Sequence, residues 1–283
     1  MNESEAVILG LIFVLLIRVL GFIISLEFFK NLKDTKFIKL ILGWCFWIVG
    51  GAINLSAQFV SQVAIYEILI LFNTIFSATG DLFLLVGILS YFGKISNKIF
   101  ISLNLLFILG PILAYFFYFY REIIGIISVI RFSLIILFTV YPLIRRHKFQ
   151  EILSSKTYNW FLFVAVFLYA YIIDYFFLIS QGKANGGIVN AHPMELILYF
   201  FLLNAVTMMI VILVLHIEYD LTNLQRFELK DTYSHDLGNI LQVIYSAAEI
   251  MKKDQNFEML EVIEEHLNKA AYLIKEIRKL SYR

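Results

Sequence analysis

A single cysteine, Cys45, stands in a chain of 283 residues, so no internal disulfide can form and no cysteine-based zinc spacing exists. Three prolines and 14 glycines leave few helix breakers, which suits long helices and argues against collagen-like or disordered chains. Charge is also scarce. Only 16% of residues are Asp, Glu, Lys or Arg, against about a quarter in an ordinary soluble domain. The net charge of +1 offers no electrostatic footprint for a nucleic acid. What fills the chain is apolar: 60% hydrophobic and 17% aromatic residues, with a mean hydropathy of +0.81. Unbroken apolar stretches of about 20 residues exclude both a water-soluble globule and a porin-type barrel, whose strands alternate in polarity.

Seven apolar runs, near 5–29, 37–59, 65–92, 99–120, 123–144, 160–180 and 196–217, are each long enough to cross about 30 Å of hydrocarbon. The first is too long to read as a cleaved signal peptide. The connections after the first, third and fifth runs carry Lys30, Lys33, Lys36, Lys94, Lys98, Arg145, Arg146, Lys148 and Lys156, whereas those between carry only Arg121 and Lys183. The positive-inside bias therefore places the N-terminus outside and the C-terminus in the cytoplasm, as an odd span number requires. The expected fold class is all-α. A seven-helix transmembrane bundle occupies 1–217 of a multi-pass protein of the cell membrane, and a cytoplasmic tail occupies 218–283.

The tail carries two apolar seams at alternating steps of four and three: Leu237, Leu241, Ile244, Ala248, Met251, and then Ile263, Leu267, Ala270, Ile274, Ile277. Turn-prone Asp254, Gln255 and Asn256, followed by Phe257, separate them. Glu258, Glu261, Glu264 and Glu265 near the start of the second helix, and Lys275, Arg278, Lys279 and Arg283 near its end, complement the helix dipole. The pattern predicts an antiparallel hairpin whose exposed seam pairs with a second copy in a homodimeric four-helix bundle.

At 100° per residue, His235 falls opposite the first seam, with Asn239 one turn later on nearly the same face. An outward imidazole beside the Asp236 carboxylate suits nucleophilic phosphoryl chemistry, one ring nitrogen attacking phosphorus while the carboxylate orients the other or takes its proton. On periodicity alone, a tail that merely dimerises is the simpler reading. The segment Ser234-His235-Asp236-Leu237-Gly238-Asn239-Ile240-Leu241-Gln242-Val243-Ile244 resembles the phosphoacceptor box of sensor histidine kinases, in their dimerisation and phosphotransfer domain. The resemblance covers roughly 224–283 and extends to the basic-aliphatic run Leu273–Leu280. It implies phosphorylation of His235, proton handling by Asp236, and water positioning for dephosphorylation by Asn239. It further implies onward transfer to an aspartate of a response-regulator receiver domain. Gly238 and Ile240 depart from the family, which usually has a basic or polar residue and often a proline there.

Family members continue into an ATP-binding domain. Here residues 236–283 are all needed for the hairpin, and no Gly-Lys-Ser/Thr or Asp-x-Gly-x-Gly loop occurs. The chain itself is thus expected to hold no cofactor. ATP and Mg would be bound by a separate or missing catalytic domain, the chain being truncated, split from its ATPase partner, or a relay.

Ionisable residues inside spans are functional candidates by default. Depth counting predicts two pairs, Arg131 with Asp174 and Arg18 with Asp81, either as internal salt bridges or as part of a ligand pocket. Asn54, Asn73, Asn104 and Asn204 are candidates for interhelical hydrogen bonds. Retinal is excluded, because no lysine lies in the seventh run. The outer connection 181–195, with Gly182, Gly186, Gly187, His192 and Pro193, could cover a site. Glu67 and Glu195 sit at the outer interface, and His147, His216 and His266 read as interface or surface residues. Trp44, Trp47, Trp160 and the aromatic cluster 115–120 match span packing or interfacial belts. The last run continues through His216, Glu218 and Asp220 into Leu221, Leu224 and Phe227 without proline or glycine, so it can carry a shift from membrane to hairpin. The rival reading is a multi-span transporter or receptor whose tail only dimerises, although no Gly/Pro-broken pair of spans points to inverted repeats.

Overall fold

The computed structural model describes residues 3–33, 35–90, 96–116, 120–150, 153–185, 188–189, 192–254 and 257–281. Lys94, Gly186, Gly187, Gln255, Asn256, Arg283 and positions 117–119 of the aromatic cluster, which the sequence reading singles out, lie outside them.

The chain is helical almost throughout. In order come α1 (Glu3–Leu32), α2 (Lys36–Ala57), α3 (Val63–Leu89), α4 (Asn97–Phe116), α5 (Tyr120–Ile144), the short α6 (Arg146–Gln150), α7 (Ser155–Ser180), α8 (Pro193–Asp254) and α9 (Met259–Ser281). Between α7 and α8 lies a two-residue antiparallel ladder, β1 (Ala184–Asn185) with β2 (Ile188–Val189). Among the described residues six helices are long and apolar enough to cross a membrane: α1, α2, α3, α5, α7 and α8. Helix α4 contributes only a shorter apolar stretch, Asn97–Leu113, and contains Pro111. Backbone groups in hydrocarbon must be satisfied within their own segment, so helices of this length and composition mark a multi-pass membrane protein.

Two compact units divide the chain, Met1–Glu218 and Tyr219–Arg283. In the first, α3 is the most enclosed helix; Ala78, Leu82 and Val86 pack with Phe107 of α4 and Ile127 of α5. By contrast, α1 exposes Leu9, Phe13, Leu16, Leu20 and Ile23, as a lipid-facing helix does. Helices α2 and α3 approach closely because glycines face the contact. A Cβ on Gly80 would overlap the Trp47 ring and stand 3.1 Å from the Gly43 carbonyl oxygen. Small residues at such a crossing let backbones meet where hydrophobic burial supplies no drive between helices. Helix α7 is capped by Ser154, whose hydroxyl accepts from the Thr157 amide at 3.3 Å.

In the second unit α8 and α9 run antiparallel. Ile250 shares a groove with Met259 and Val262, and Asp236 and Asn239 share another with Tyr272 and Leu273. Each apolar seam is split by this packing. Leu237, Ile244 and Met251 are half-buried and Ala247 and Ala270 fully buried, while Leu241, Leu267 and Ile274 remain exposed.

Candidate functional site

Two groups of side chains carry chemistry, one in each unit. The first is a polar cluster inside the bundle. Asp81 sits on α3, buried at 5% exposure. One of its oxygens pairs with the Nε of Arg131 from α5, and the other accepts from Nε1 of Trp47 on α2 at 2.6 Å. The Trp47 carbonyl in turn accepts from Nη1 of Arg18 on α1 at 2.6 Å, and the Arg18 guanidinium lies 4.9 Å from the centre of the Trp47 ring. Tyr171 of α7 and Tyr199 of α8, their hydroxyls 3.4 Å apart, border the same space. Together these groups line part of a cavity of about 110 Å³.

This arrangement corrects the pairs expected from sequence. Arg131 is taken by Asp81, not Asp174, and Arg18 reaches Asp81 only through Trp47. Asp174 carries a buried oxygen, Oδ2, that makes no hydrogen bond. Counting residues along a span gives axial depth, but the direction in which each helix turns its side chains comes from packing. Trp47, which composition alone assigns to packing, is the bridge between the charges. No local sequence signal marks it. Asn104 and Asn204 do not span helices; their amides donate to Phe100 and Phe200 of their own helices at 2.9 and 2.7 Å. At the outer connection, Glu195 accepts from Lys183 at 2.7 Å and from the His192 amide at 3.0 Å, fastening the loop to the start of α8. His192 is exposed. Trp160 stacks on His216, ring centres 5.5 Å apart.

The second group is in the tail. The side chain of His235 is 75% exposed. Its Nδ1 lies 3.3 Å from the Asn239 amide nitrogen and 3.8 Å from an Asp236 carboxylate oxygen. Helical spacing of four brings Asn239 to the imidazole. Nδ1 is therefore the nitrogen held by neighbours, and Nε2 is the one directed away from them. Gly238 sits inside the helix with open space around the position of a Cβ. Nearby, Lys269 donates to Glu265 at 2.6 Å and holds that carboxyl below its ordinary value of 4.5.

Among the described residues no three His, Cys, Asp or Glu side chains are gathered to hold a metal ion. No family model matches the chain, and no curated protein or solved structure matches it either.

Proposed function

We propose that the chain is a membrane sensor of the two-component type, phosphorylated on His235 and passing the phosphoryl group to an aspartate of a response regulator. The observation that carries this reading is the exposed imidazole whose Nδ1 faces Asp236 and Asn239 while Nε2 is left to react. In the proposed step the imidazole carries its proton on Nδ1, with the Asn239 amide turned to offer its oxygen there; Nε2 forms a bond to the γ-phosphorus of ATP, the bond to the ADP oxygen breaks, and Asp236 takes the Nδ1 proton. The nucleotide and its Mg would be presented by a catalytic domain on a separate chain or on sequence outside these residues. Asn239 would orient the water that later reverses the transfer.

In this reading α4 is a seventh span. Its 20 residues extend about 30 Å at 1.5 Å each, enough for the hydrocarbon core. The lysine- and arginine-bearing connections then put the tail in the cytoplasm. The exposed halves of the two seams, Leu241, Leu267 and Ile274, would close against a second copy as a four-helix bundle. Helix α8 is helical from Pro193 to Asp254, which supports a mechanical link: a tilt, rotation or piston shift in the membrane changes access to His235. A stimulus drives that shift only by binding one state more tightly than the other.

The test mixes the full chain in micelles with histidine-kinase catalytic domains and labelled ATP. Acid-labile label that disappears in His235→Gln supports the reading. No label from any of the donors overturns it and leaves a transporter or receptor with a dimerising tail. A flexible glycine linker inserted after Asp220 should uncouple stimulus from label.

A further inference from the structure

The charges gathered around Trp47 do not cancel. Arg18, 8% exposed, and Arg131 are two cations around one carboxylate, Asp81. Both Asp81 oxygens are engaged, one by Arg131 and one by the Trp47 indole. Arg18 is left with the Trp47 carbonyl and the face of the Trp47 ring, neither of which carries a full negative charge. Its Nε is buried and makes no hydrogen bond, and among the described residues no carboxylate lies within ion-pair distance of it. A guanidinium withdrawn from water without an anion costs several kcal/mol. The surroundings do not supply that anion; a ligand can.

The cavity beside Arg18 is built to receive one. Arg18, Asp81 and Arg131 stand in its wall with the polar side chains of Asn54, Asn73, Ser77, Thr139 and Thr207, and most of the rest is apolar, with Leu84, Ile88 and Leu89 on α3, Ile135 on α5, Val164 on α7 and Leu213 on α8. From Asp81 to Leu89 the α3 axis advances about 12 Å. The space thus joins a cationic cluster to a largely apolar wall. Its volume of about 110 Å³ is of the same order as the ~150 Å³ apolar cavity that admits benzene, so about six carbons fit.

We propose that this cavity binds a small apolar monocarboxylate of the short- to medium-chain aliphatic class. Its carboxylate sits on Arg18 and its chain runs toward Leu89 and Leu213. A carboxylate matches the planar fork of a guanidinium and brings the one negative charge the site lacks. A doubly charged headgroup would face Asp81 with a charge no cation balances. Binding does not depend on phosphotransfer. Only the consequence of occupancy for His235 rests on the sensor reading.

Labelled hexanoate is the probe, added to the full chain in detergent micelles, with binding read by scintillation proximity. The expected result is saturable binding, with hexanol and hexylamine competing at least tenfold more weakly than unlabelled hexanoate. Arg18→Gln should lower affinity at least tenfold, and Val164→Trp, which fills the cavity from an apolar position without altering charge, should abolish saturation. Binding that never saturates, equal competition by hexanol, or affinity unchanged in Arg18→Gln overturns the proposal. If either variant fails to fold, the competitor order in the unaltered chain decides. Because no phosphoryl label is read, failure here and failure of the His235 reading are separate outcomes.

Discussion

Replacing Asp81 with Asn removes one charge and little else. The amide oxygen still accepts from the Trp47 indole, and the side-chain volume is preserved. What changes is the balance: Arg131 loses its ion-pair partner, and Arg18 loses the nearest compensating charge, two residues away through Trp47. Removing one partner of a buried pair costs about 3–5 kcal/mol, because the other charge stays buried and uncompensated. That is a large part of the roughly 5–15 kcal/mol that holds a domain together. At about 2–4 °C per kcal/mol for a unit of this size, the unfolding midpoint should fall by roughly 6–20 °C. The assay is thermal unfolding of the full chain in micelles, followed by tryptophan emission, since Trp44 and Trp47 pack at this cluster with ring centres 5.6 Å apart. Asp81→Asn combined with Arg131→Gln removes the stranded cation and should recover part of the loss, a coupling of about 0.5–3 kcal/mol. An Asp81→Asn protein within about 0.5 kcal/mol of the parent, or a double variant whose losses simply add, would refute the ion-pair argument.

Four further outcomes are expected. Gly80→Ala presses a methyl group on the Trp47 ring and the Gly43 carbonyl, and should destabilise the α2–α3 crossing by about 1–3 kcal/mol in the same melt. Gly238→Ala goes the other way: the added methyl meets nothing, and a helical glycine costs roughly 1 kcal/mol, so amide exchange around 238 should slow. Leu267→Glu places a charge in the exposed half of the α9 seam and should break up the proposed dimer, giving a monomer in light scattering. Glu265 should titrate below 4.5 by NMR and return to that value in Lys269→Gln. Because its folded-state value is depressed, its contribution to helix stability is present above 4.5 and is lost as pH falls through the lower value.

Most helix positions were legible because the signal is local. A run such as 160–180 has no alternative to a helix in hydrocarbon, and the helix found there is Ser155–Ser180. The fourth run shows where such a reading stops: near 99–120 it reads as a full span, and among the described residues α4 supplies the apolar stretch Asn97–Leu113. In the tail, alternating steps of four and three locate both seams but not which half each neighbour covers. Leu237 and Leu241 look alike in sequence, and only the antiparallel contact with α9 shelters one and leaves the other exposed. The contact of Asn239 with His235 was readable in advance, since residues four positions apart on a helix are neighbours whatever the rest of the chain does.

Composition and periodicity by themselves determined that this is a helical chain for a bilayer with a charged, amphipathic tail, and they singled out Arg18, Asp81, Arg131 and Asp174 as charges too costly to be accidental. Which of those charges meet was decided only by tertiary packing. Asp81 chose Arg131 over Arg18, Trp47 became the bridge, and Asp174 was left aside. The physical reason is that a membrane fixes how deep a residue lies, through the length of its helix. The azimuth of each helix, and with it every partner across the bundle, is set by glycine-lined crossings and side-chain fit between segments far apart in the chain.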